Sequence, residues 1–380
     1  MSASGRAIRP GEWLGLLGGG QLGRMFAMAA QSMGYRVAVL DPDEHSPAAA
    51  AADRHLRADY LDPQGLAALV ALCRGVTTEF ENVPAQALEV LAARCRVSPS
   101  AEAVTIAQDR AKEKAFLRGC GIDTAPYVEI ANGRDIDSAP AELFPGILKA
   151  SRLGYDGKGQ VRVADRAETH AAFDQLAGVH CVLERRLALE REISIVVARS
   201  ASGEAVTYPA TGNEHVGGVL DTSIVPARVS TAVAERGRRA ALKIADELAY
   251  VGVLCVEFFV LRGDVLLVNE IAPRPHNSGH HTLDACVTSQ FEQQVRVLAG
   301  LPLGSTRQHS PAVMLNLLGE IWNHGEPEWA NVLAHPQAKL HLYGKREARP
   351  GRKMGHVTCL GTTLDDALAT AATIRRALGF

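Results

Sequence analysis

Apolar positions in the first hundred residues follow a repeating rhythm. Residues 13–17 (WLGLL), 36–40 (RVAVL) and 75–78 (GVTT) are short runs that read as buried strands. Between them, Leu22, Met25, Phe26, Ala29 and Ala30 recur at helical spacing within residues 21–34. Residues 63–72 and 84–93 read as two more helices, each opened by a proline at a tolerated first position. Strands alternating with helices predict a parallel sheet covered on both faces. This unit ends near residue 100.

The rhythm then changes. Residues 109–118 form a charged helix, stopped by Gly119-Cys120-Gly121. After Pro126 short strands dominate, at 146–150, 160–163, 180–184 and 192–199. A long helix is expected over 232–249, strands over 251–261 and 265–270, and a helix over 290–299. The last stretch predicts strands near 313–318, 339–343 and 355–360, then a helix over 364–378. The chain therefore mixes α/β with α+β, and no fixed-period repeat is evident.

Composition narrows the function classes. A chain of 380 residues suggests two to three domains at ~150 residues each. With 47% hydrophobic and 22% charged residues it is globular rather than disordered. The balance of 40 basic and 42 acidic residues argues against nucleic-acid or polybasic membrane binding. Seven cysteines without a C-x-x-C pair argue against a disulfide framework or zinc ribbon and suggest a reducing, cytoplasmic setting. No apolar run approaches a membrane span, and residues 13–17 are too short for a signal segment.

Two glycine loops carry candidate chemistry. Gly18, Gly20 and Gly23 match G-x-G-x-x-G between a strand and a helix, with Asp41 ending the second strand. The pattern fits a dinucleotide such as NAD, another phosphate, or a tight turn without ligand. The second loop, residues 154–160 (GYDGKGQ), follows Lys149 and joins two strands, unlike a P-loop. It reads as a flap over phosphates, neutralised by Lys149 and Lys158, or as a plain surface hairpin.

Glu257 and Glu270 are the sharpest pair. A two-residue turn at Gly263-Asp264 would pair Arg262 with Val265 and place Glu257 directly opposite Glu270. Opposed carboxylates among apolar neighbours repel, and a divalent cation relieves the conflict. Asn269 is a candidate third oxygen donor. His276, His280 and His281 invite a zinc reading, but their spacing favours polar loop residues that bind substrate. Lys345, Arg346, Arg349, Arg352 and Lys353 are either a solvated face or an anion site.

Six segments in order then make a specific signature: GGGQLGRM (18–25), TTEFENVP (77–84), QDRAKEK (108–114), GYDGKGQ (154–160), NEIAPRPHNSGHHT (269–282) and PGRKMGHV (350–357). Together they resemble the ATP-grasp superfamily, and within it the ligases that carboxylate an aminoimidazole ribonucleotide in purine biosynthesis. The resemblance implies a Rossmann-like N-terminal domain over 1–105, an ATP-grasp domain over 106–310 and a small β-rich C-terminal domain over 311–380. It implies ATP as co-substrate, Mg²⁺ (or Mn²⁺) on Glu257 and Glu270, bicarbonate and 5-aminoimidazole ribonucleotide as substrates, carboxyphosphate as intermediate, and a homodimer. Arg110, Lys149, residues 154–160 (Gly154, Tyr155, Asp156, Gly157, Lys158, Gly159 and Gln160), the linker Glu184, Arg185, Arg186 and Leu187, and Glu192, His215, Asn269 and Glu270 would hold ATP. Gly20, Gln21, Leu22, Glu79, Tyr155, Lys345, Arg352 and Lys353 would line the ribonucleotide site. Asp156, Arg274 and His276 would act in catalysis, with Asp156 positioning or deprotonating the exocyclic amine. The alternatives are another ATP-grasp ligase such as the formate-using transformylase, an NAD-dependent oxidoreductase on the first glycine loop, and a catalytically dead ATP-binding regulator.

Overall fold

The computed structural model describes residues 6–154 and 159–380. Its first sheet has the all-parallel order β3-β2-β1-β4-β5, built from β1 (Trp13–Leu17), β2 (Arg36–Leu40), β3 (Arg54–Leu56), β4 (Cys73–Thr78) and β5 (Arg96–Ser98). Leu14, Leu16, Val37 and Val39 pack on one face against Phe26 and Ala30 of the helix Gln21–Ser32. Leu17, Ala38, Leu40 and Val76 face the other way, towards Leu66, Leu69 and Leu88. Burial on both faces explains why these strands read as unbroken apolar runs. The strand order reverses between β1 and β4, and in open parallel sheets that switch point is where ligands bind.

The helix Gln290–Ala299 belongs to this core although the chain reaches it late. Val295, Leu298 and Ala299 pack with Leu14 and Val37, and Ala299 O accepts from Ile8 N at 2.8 Å. Residues 290–299 thus tie the central part of the chain back onto the first sheet.

A four-stranded antiparallel sheet follows, in the order β6-β9-β7-β8, from β6 (Tyr127–Ile130), β7 (Gly146–Ala150), β8 (Gln160–Val163) and β9 (Cys181–Arg185). The helix Arg110–Gly119 starts beside the end of β7. Asp109 caps it by accepting from Ala111 N at 3.1 Å, while Ser151 Oγ donates to the same carboxylate at 2.6 Å. That cap sets Arg110 near Lys149.

The largest sheet contains β10 (Leu189–Arg199), β11 (Ala205–Thr207), β12 (Thr211–Val216), β13 (Val219–Val225), β14 (Gly252–Leu261), β15 (Val265–Ala272), β16 (Ala312–Leu318), β17 (Ala338–Leu342) and β18 (Lys353–Leu360). Ile193, Ile195 and Val197 of β10, with Val256, Phe258 and Val260 of β14, pack on Val233, Ala241 and Ile244 of the helix Thr231–Glu247. Strand alternation therefore turns Ser194 and Glu257, which pair across the two strands, to the opposite face. The C-terminal strands do not form a sheet of their own: β16 pairs antiparallel with β13 and continues the large sheet. Their other support is the helix Leu364–Leu378, whose Ala367, Ala371 and Ile374 cover Val313, Leu315 and Val357.

The β14–β15 hairpin differs from its expected course near the turn. Leu261, not Arg262, pairs with Val265, so the loop is the three residues Arg262, Gly263 and Asp264. Gly263 and Asp264 both adopt left-handed backbone, with φ of 78° and 63°. Three-residue loops commonly close in this way. A bulge then leaves Asn269 without a partner residue, because Phe258 pairs with Val268 while Glu257 pairs with Glu270. The two departures offset each other, and the carboxylates stand opposite one another as expected.

Candidate active site

The first glycine loop sits at the switch point of the parallel sheet, and its anion position is filled from within. Glu79, just beyond β4, accepts from Gly20 N at 2.7 Å and from Gly23 N at 3.2 Å. A Cβ on Gly20 would lie 2.5 Å from Glu79 Oε1, and one on Gly18, at φ 98°, 2.6 Å from Glu79 Cγ. The glycines serve the close approach of a carboxylate. The helix N-terminus that would hold a dinucleotide pyrophosphate is already occupied, and Asp41 is taken up by Tyr60 Oη at 2.7 Å. This corrects the oxidoreductase alternative.

Glu81 lies two residues further along the same loop and pairs with Arg274 Nε across 193 residues of sequence. Burial alone would raise the Glu81 carboxyl, but Arg274 outweighs it and holds it at about 2. Gln108 Nε2 clamps the loop from behind, donating to Glu81 O and Val83 O at 2.6 Å each.

Opposite stands a cluster of buried charge. Glu184 bridges two lysines, with Lys149 Nζ 2.8 Å from Oε2 and Lys114 Nζ 3.1 Å from Oε1. Burial would raise Glu184, but Lys149 and Lys114 outweigh it and hold it at about 2. Burial works the other way on Lys149, whose pKa is lowered despite Glu184. Arg110 Nη1 reaches Glu270 Oε2 at 2.9 Å.

Glu257 has a different partner, the His276 imidazole, whose Nε2 lies at 2.9 Å. Each of the two opposed carboxylates thus has its own neighbour, a guanidinium for Glu270 and an imidazole for Glu257. Asn269 Oδ1, on the bulge beside Glu270, is buried and has no hydrogen-bond partner among the described residues. Two carboxylates and an orphaned amide oxygen form an all-oxygen donor set, which suits a hard divalent cation of the Mg²⁺ type. His215 Nδ1 lies 3.0 Å from Glu192 Oε2 on the neighbouring strands.

A cleft of about 990 Å³ collects these groups. Among the residues singled out from sequence, Gln21, Leu22, Glu79, Arg110, Lys149, Gly154, Gln160, Glu192 and His215 line it. Glu257, Asn269, Glu270, Arg274, His276, Lys345, Arg352 and Lys353 line it too. Gly20, Gly159, Glu184, Arg185, Arg186 and Leu187 stand outside its lining. Gly20 lies behind Glu79, and Glu184 acts from beneath Lys149. The linker amides of Arg185 and Arg186 donate to Pro126 O and Pro145 O at 2.9 Å each, so they are already engaged. Tyr155, Asp156, Gly157 and Lys158 lie outside the described residues.

Sequence reading gave no role to Lys114, Glu81 or Ser278. Lys114 was signalled by its spacing, four residues after Arg110 on one helix face. Glu81 shares a motif with Glu79 but its partner lies too far along the chain to infer. His280 and His281 are buried among protein groups, and His280 packs 4.8 Å from the ring of His356. His356 in turn stacks on His341 with ring centroids 4.4 Å apart and planes within 12°, while His341 Nε2 contacts Asp284 at 2.8 Å. Parallel rings do not aim their in-plane lone pairs at one point, so this cluster reads as packing rather than a metal centre.

In the basic run, Arg349 pairs with Glu347, and Lys345 Nζ donates to Lys353 O at 2.7 Å. This self-bracing loop lines the cleft together with Gln21 and Leu22, and Leu22 packs in one cluster with Tyr343 at its start.

Family models match three consecutive stretches: a ribonucleotide synthetase preATP-grasp domain over residues 12–108, an ATP-grasp domain over 115–291, and a phosphoribosylaminoimidazole carboxylase C-terminal domain over 312–370. The chain is 48% identical over 355 residues to the N5-carboxyaminoimidazole ribonucleotide synthase of Brucella melitensis, covering 93% of this chain and 97% of that one. It is 42% identical to that of Bacillus subtilis over 366 residues, 96% and 95% of the two chains. A crystal structure of the ADP complex of an N5-carboxyaminoimidazole ribonucleotide synthetase superposes with a TM-score of 0.92 at 40% identity, covering 98% of both chains. The Aspergillus clavatus enzyme in complex with ADP and 5-aminoimidazole ribonucleotide gives 0.89 at 30% identity, covering 98% of this chain and 100% of that one.

Proposed function

The chain belongs to the N5-carboxyaminoimidazole ribonucleotide synthases of the ATP-grasp superfamily, and on that premise we propose that it uses ATP and bicarbonate to carboxylate 5-aminoimidazole ribonucleotide, releasing ADP and phosphate. One observation carries the reading. A single cleft joins the switch point of the parallel sheet to a charged cluster of Arg110, Lys149, Glu257 and Glu270. The first suits a ribonucleotide, the second a nucleoside triphosphate.

Bicarbonate is a poor electrophile. Transfer of the γ-phosphoryl group to one of its oxygens gives carboxyphosphate and ADP. The exocyclic amine then attacks the carboxyl carbon, the C–O bond to phosphate breaks, and nitrogen gives up a proton. Arg110 and Lys149 meet the charge that shifts onto phosphate oxygens during transfer. Lys149 needs no reorganisation to do so, because Glu184 fixes its ammonium. Arg274 and His276 orient bicarbonate and carboxyphosphate, and Glu81 holds Arg274 in place from the first sheet. Gln21, Leu22, Glu79, Lys345, Arg352 and Lys353 hold the ribonucleotide, its phosphate towards the basic loop. Asp156 would position or deprotonate the amine. Glu257 and Glu270, with Asn269 Oδ1, would hold Mg²⁺ (or Mn²⁺), which neutralises phosphate charge when bound. Domain limits at 105/106 and 310/311, a homodimer and a cytoplasmic location complete the reading by family membership.

The test is ADP release with Mg²⁺-ATP, bicarbonate and aminoimidazole ribonucleotide, omitting one at a time. ADP formation that needs the ribonucleotide, with label from bicarbonate in the product, is the expected result. Stimulation by formate or another acid instead would move the chain to a different ATP-grasp reaction. No ADP under any combination would leave a nucleotide-binding regulator.

A further inference from the structure

Behind His276 runs a chain of buried polar groups that the reaction as described does not use. Ser223 Oγ donates to Asn213 Oδ1 at 3.1 Å, and Asn213 Nδ2 donates to Ser194 Oγ at 2.9 Å. Ser194 Oγ donates to Ser278 Oγ at 2.7 Å, and Ser278 Oγ lies 2.8 Å from His276 Nδ1. Ser194, Ser223 and Ser278 are at most 1% exposed and Asn213 is 7% exposed. They come from β10, β13, the turn Asn277–Gly279 and β12, so three strands and a turn converge on one imidazole nitrogen.

The donors all run in one direction. Asn213 and Ser194 each use a proton towards the next member, which leaves the Ser278 hydroxyl proton for Nδ1. Ser278 N also points at Nδ1, at 3.3 Å. A half-satisfied buried network is costly, so four buried polar side chains joined in one hydrogen-bonded chain that ends on His276 need a common purpose. Histidine ring orientation is set by the bond its second nitrogen makes.

We propose that Ser278, backed by Ser194, Asn213 and Ser223, is a positioning residue that holds the His276 ring with Nδ1 turned into the protein and Nε2 presented to the cleft. The role rests on the reading of His276 given above, since it acts only through that ring. Without the Ser278 hydroxyl the ring keeps its Glu257 contact at Nε2 but loses the bond that fixes it at Nδ1, and Nε2 is no longer held in one orientation towards the reacting group.

A double-mutant cycle tests it. Ser278→Ala should lower kcat by roughly 10–100-fold with KM for ATP within about 2-fold, the range seen for groups behind a functional histidine. In a His276→Asn background the same change should cost less than about 2-fold, because the group it acts through is gone. Equal losses in both backgrounds would overturn the proposal, as would unaltered kcat in a folded Ser278→Ala. Should that variant fail to fold, Ser194→Ala, one bond further back, takes its place in the cycle with the same two outcomes. The cycle is read on whatever ATP turnover the wild-type protein shows. A wrong acceptor in the wild-type assay therefore sinks the reaction assignment without deciding the role of Ser278.

Discussion

The glycine loop after β1 and the bulged end of the β14–β15 hairpin face one cleft, yet they are finished differently. At the loop, the backbone donors of Gly20 and Gly23 are met by Glu79. At the bulge, Glu270 has the Arg110 guanidinium beside it and Glu257 the His276 imidazole, and Asn269 Oδ1 has no partner among the described residues. The first is a site with its charge already matched by the chain. The second carries, beside two carboxylates, an oxygen donor left unmet among the described residues. A glycine motif marks where backbone must come close to something, and here that something is a side chain. Opposed carboxylates beside an orphaned oxygen mark a place for a cation.

If that contrast is right, the bulge is the more sensitive place for activity. Glu270→Ala removes a proposed cation ligand and strands Arg110, so turnover should fall on the order of 10³-fold, the upper range for losing one electrostatic contributor to a transition state. A Mg²⁺ titration of residual activity should shift to higher concentration. Wild-type turnover at low Mg²⁺ in this variant would show that the carboxylates serve the protein alone, and the contrast would collapse.

The next largest effect is on stability. Glu184→Leu leaves Lys149 and Lys114 buried without their shared carboxylate, a change that typically costs about 3 kcal/mol or more. Urea unfolding measures it. The same groups set an acid limit. Glu184 and Glu81 are both held at about 2 in the folded chain, against about 4.3 for an unfolded glutamate. Lowered folded values mean the stabilisation is fully present above the unfolded value and is lost as pH falls from there towards 2. The urea midpoint should therefore drop through that window in the wild-type protein. The drop should be shallower in Glu81→Gln, whose carboxylate no longer titrates. An equal slope would mean that Arg274 does not hold Glu81.

At the glycine loop the expected effect is smaller. Glu79→Ala removes a carboxylate that serves the N-terminus of the helix Gln21–Ser32, which should cost about 1–2 kcal/mol. It also empties the anion position. Inorganic phosphate should then raise the melting temperature of the variant by more than that of the wild-type protein, whose basic loop and Lys149 bind it as well. Phosphate stabilising both equally would place the anion elsewhere in the cleft and remove the basis for calling the loop self-satisfied.

Much of this was legible from short-range pattern. The β1–Gly18–helix unit, the charged helix Arg110–Gly119 and the Glu257–Glu270 opposition all follow from spacing. The opposition survived because a longer turn and a bulge shift the register by one residue in opposite senses. Local rules reach neither event reliably, since Asn269 is extruded by the needs of the site and not by any turn signal. What sequence could not show is pairing between distant segments. That Glu79 also closes the first glycine loop shows only once β4 is seen to end beside Gly20, and Glu81 meets Arg274 only through the packing of the first sheet on the large one. The continuation of the large sheet into β16–β18 is hidden for the same reason. Strand pairing across 90 residues leaves no trace in periodicity.

The smallest expected effect concerns the basic linker after β9. Arg185 and Arg186 are exposed, and their amides already donate to Pro126 O and Pro145 O. Main-chain bonds therefore set the path of the linker, and its two arginines are exposed and not among the residues that line the cleft. Arg186→Ala should leave KM for ATP within about 2-fold, as expected of an exposed charge without a fixed partner. A tenfold rise would mean that the nucleotide extends over the linker. The side chain at 186 would then be a contact to the base or ribose. The nucleotide half of the cleft would reach beyond the Lys149–Glu270 cluster, and the division into one matched and one unmet region would need a third term.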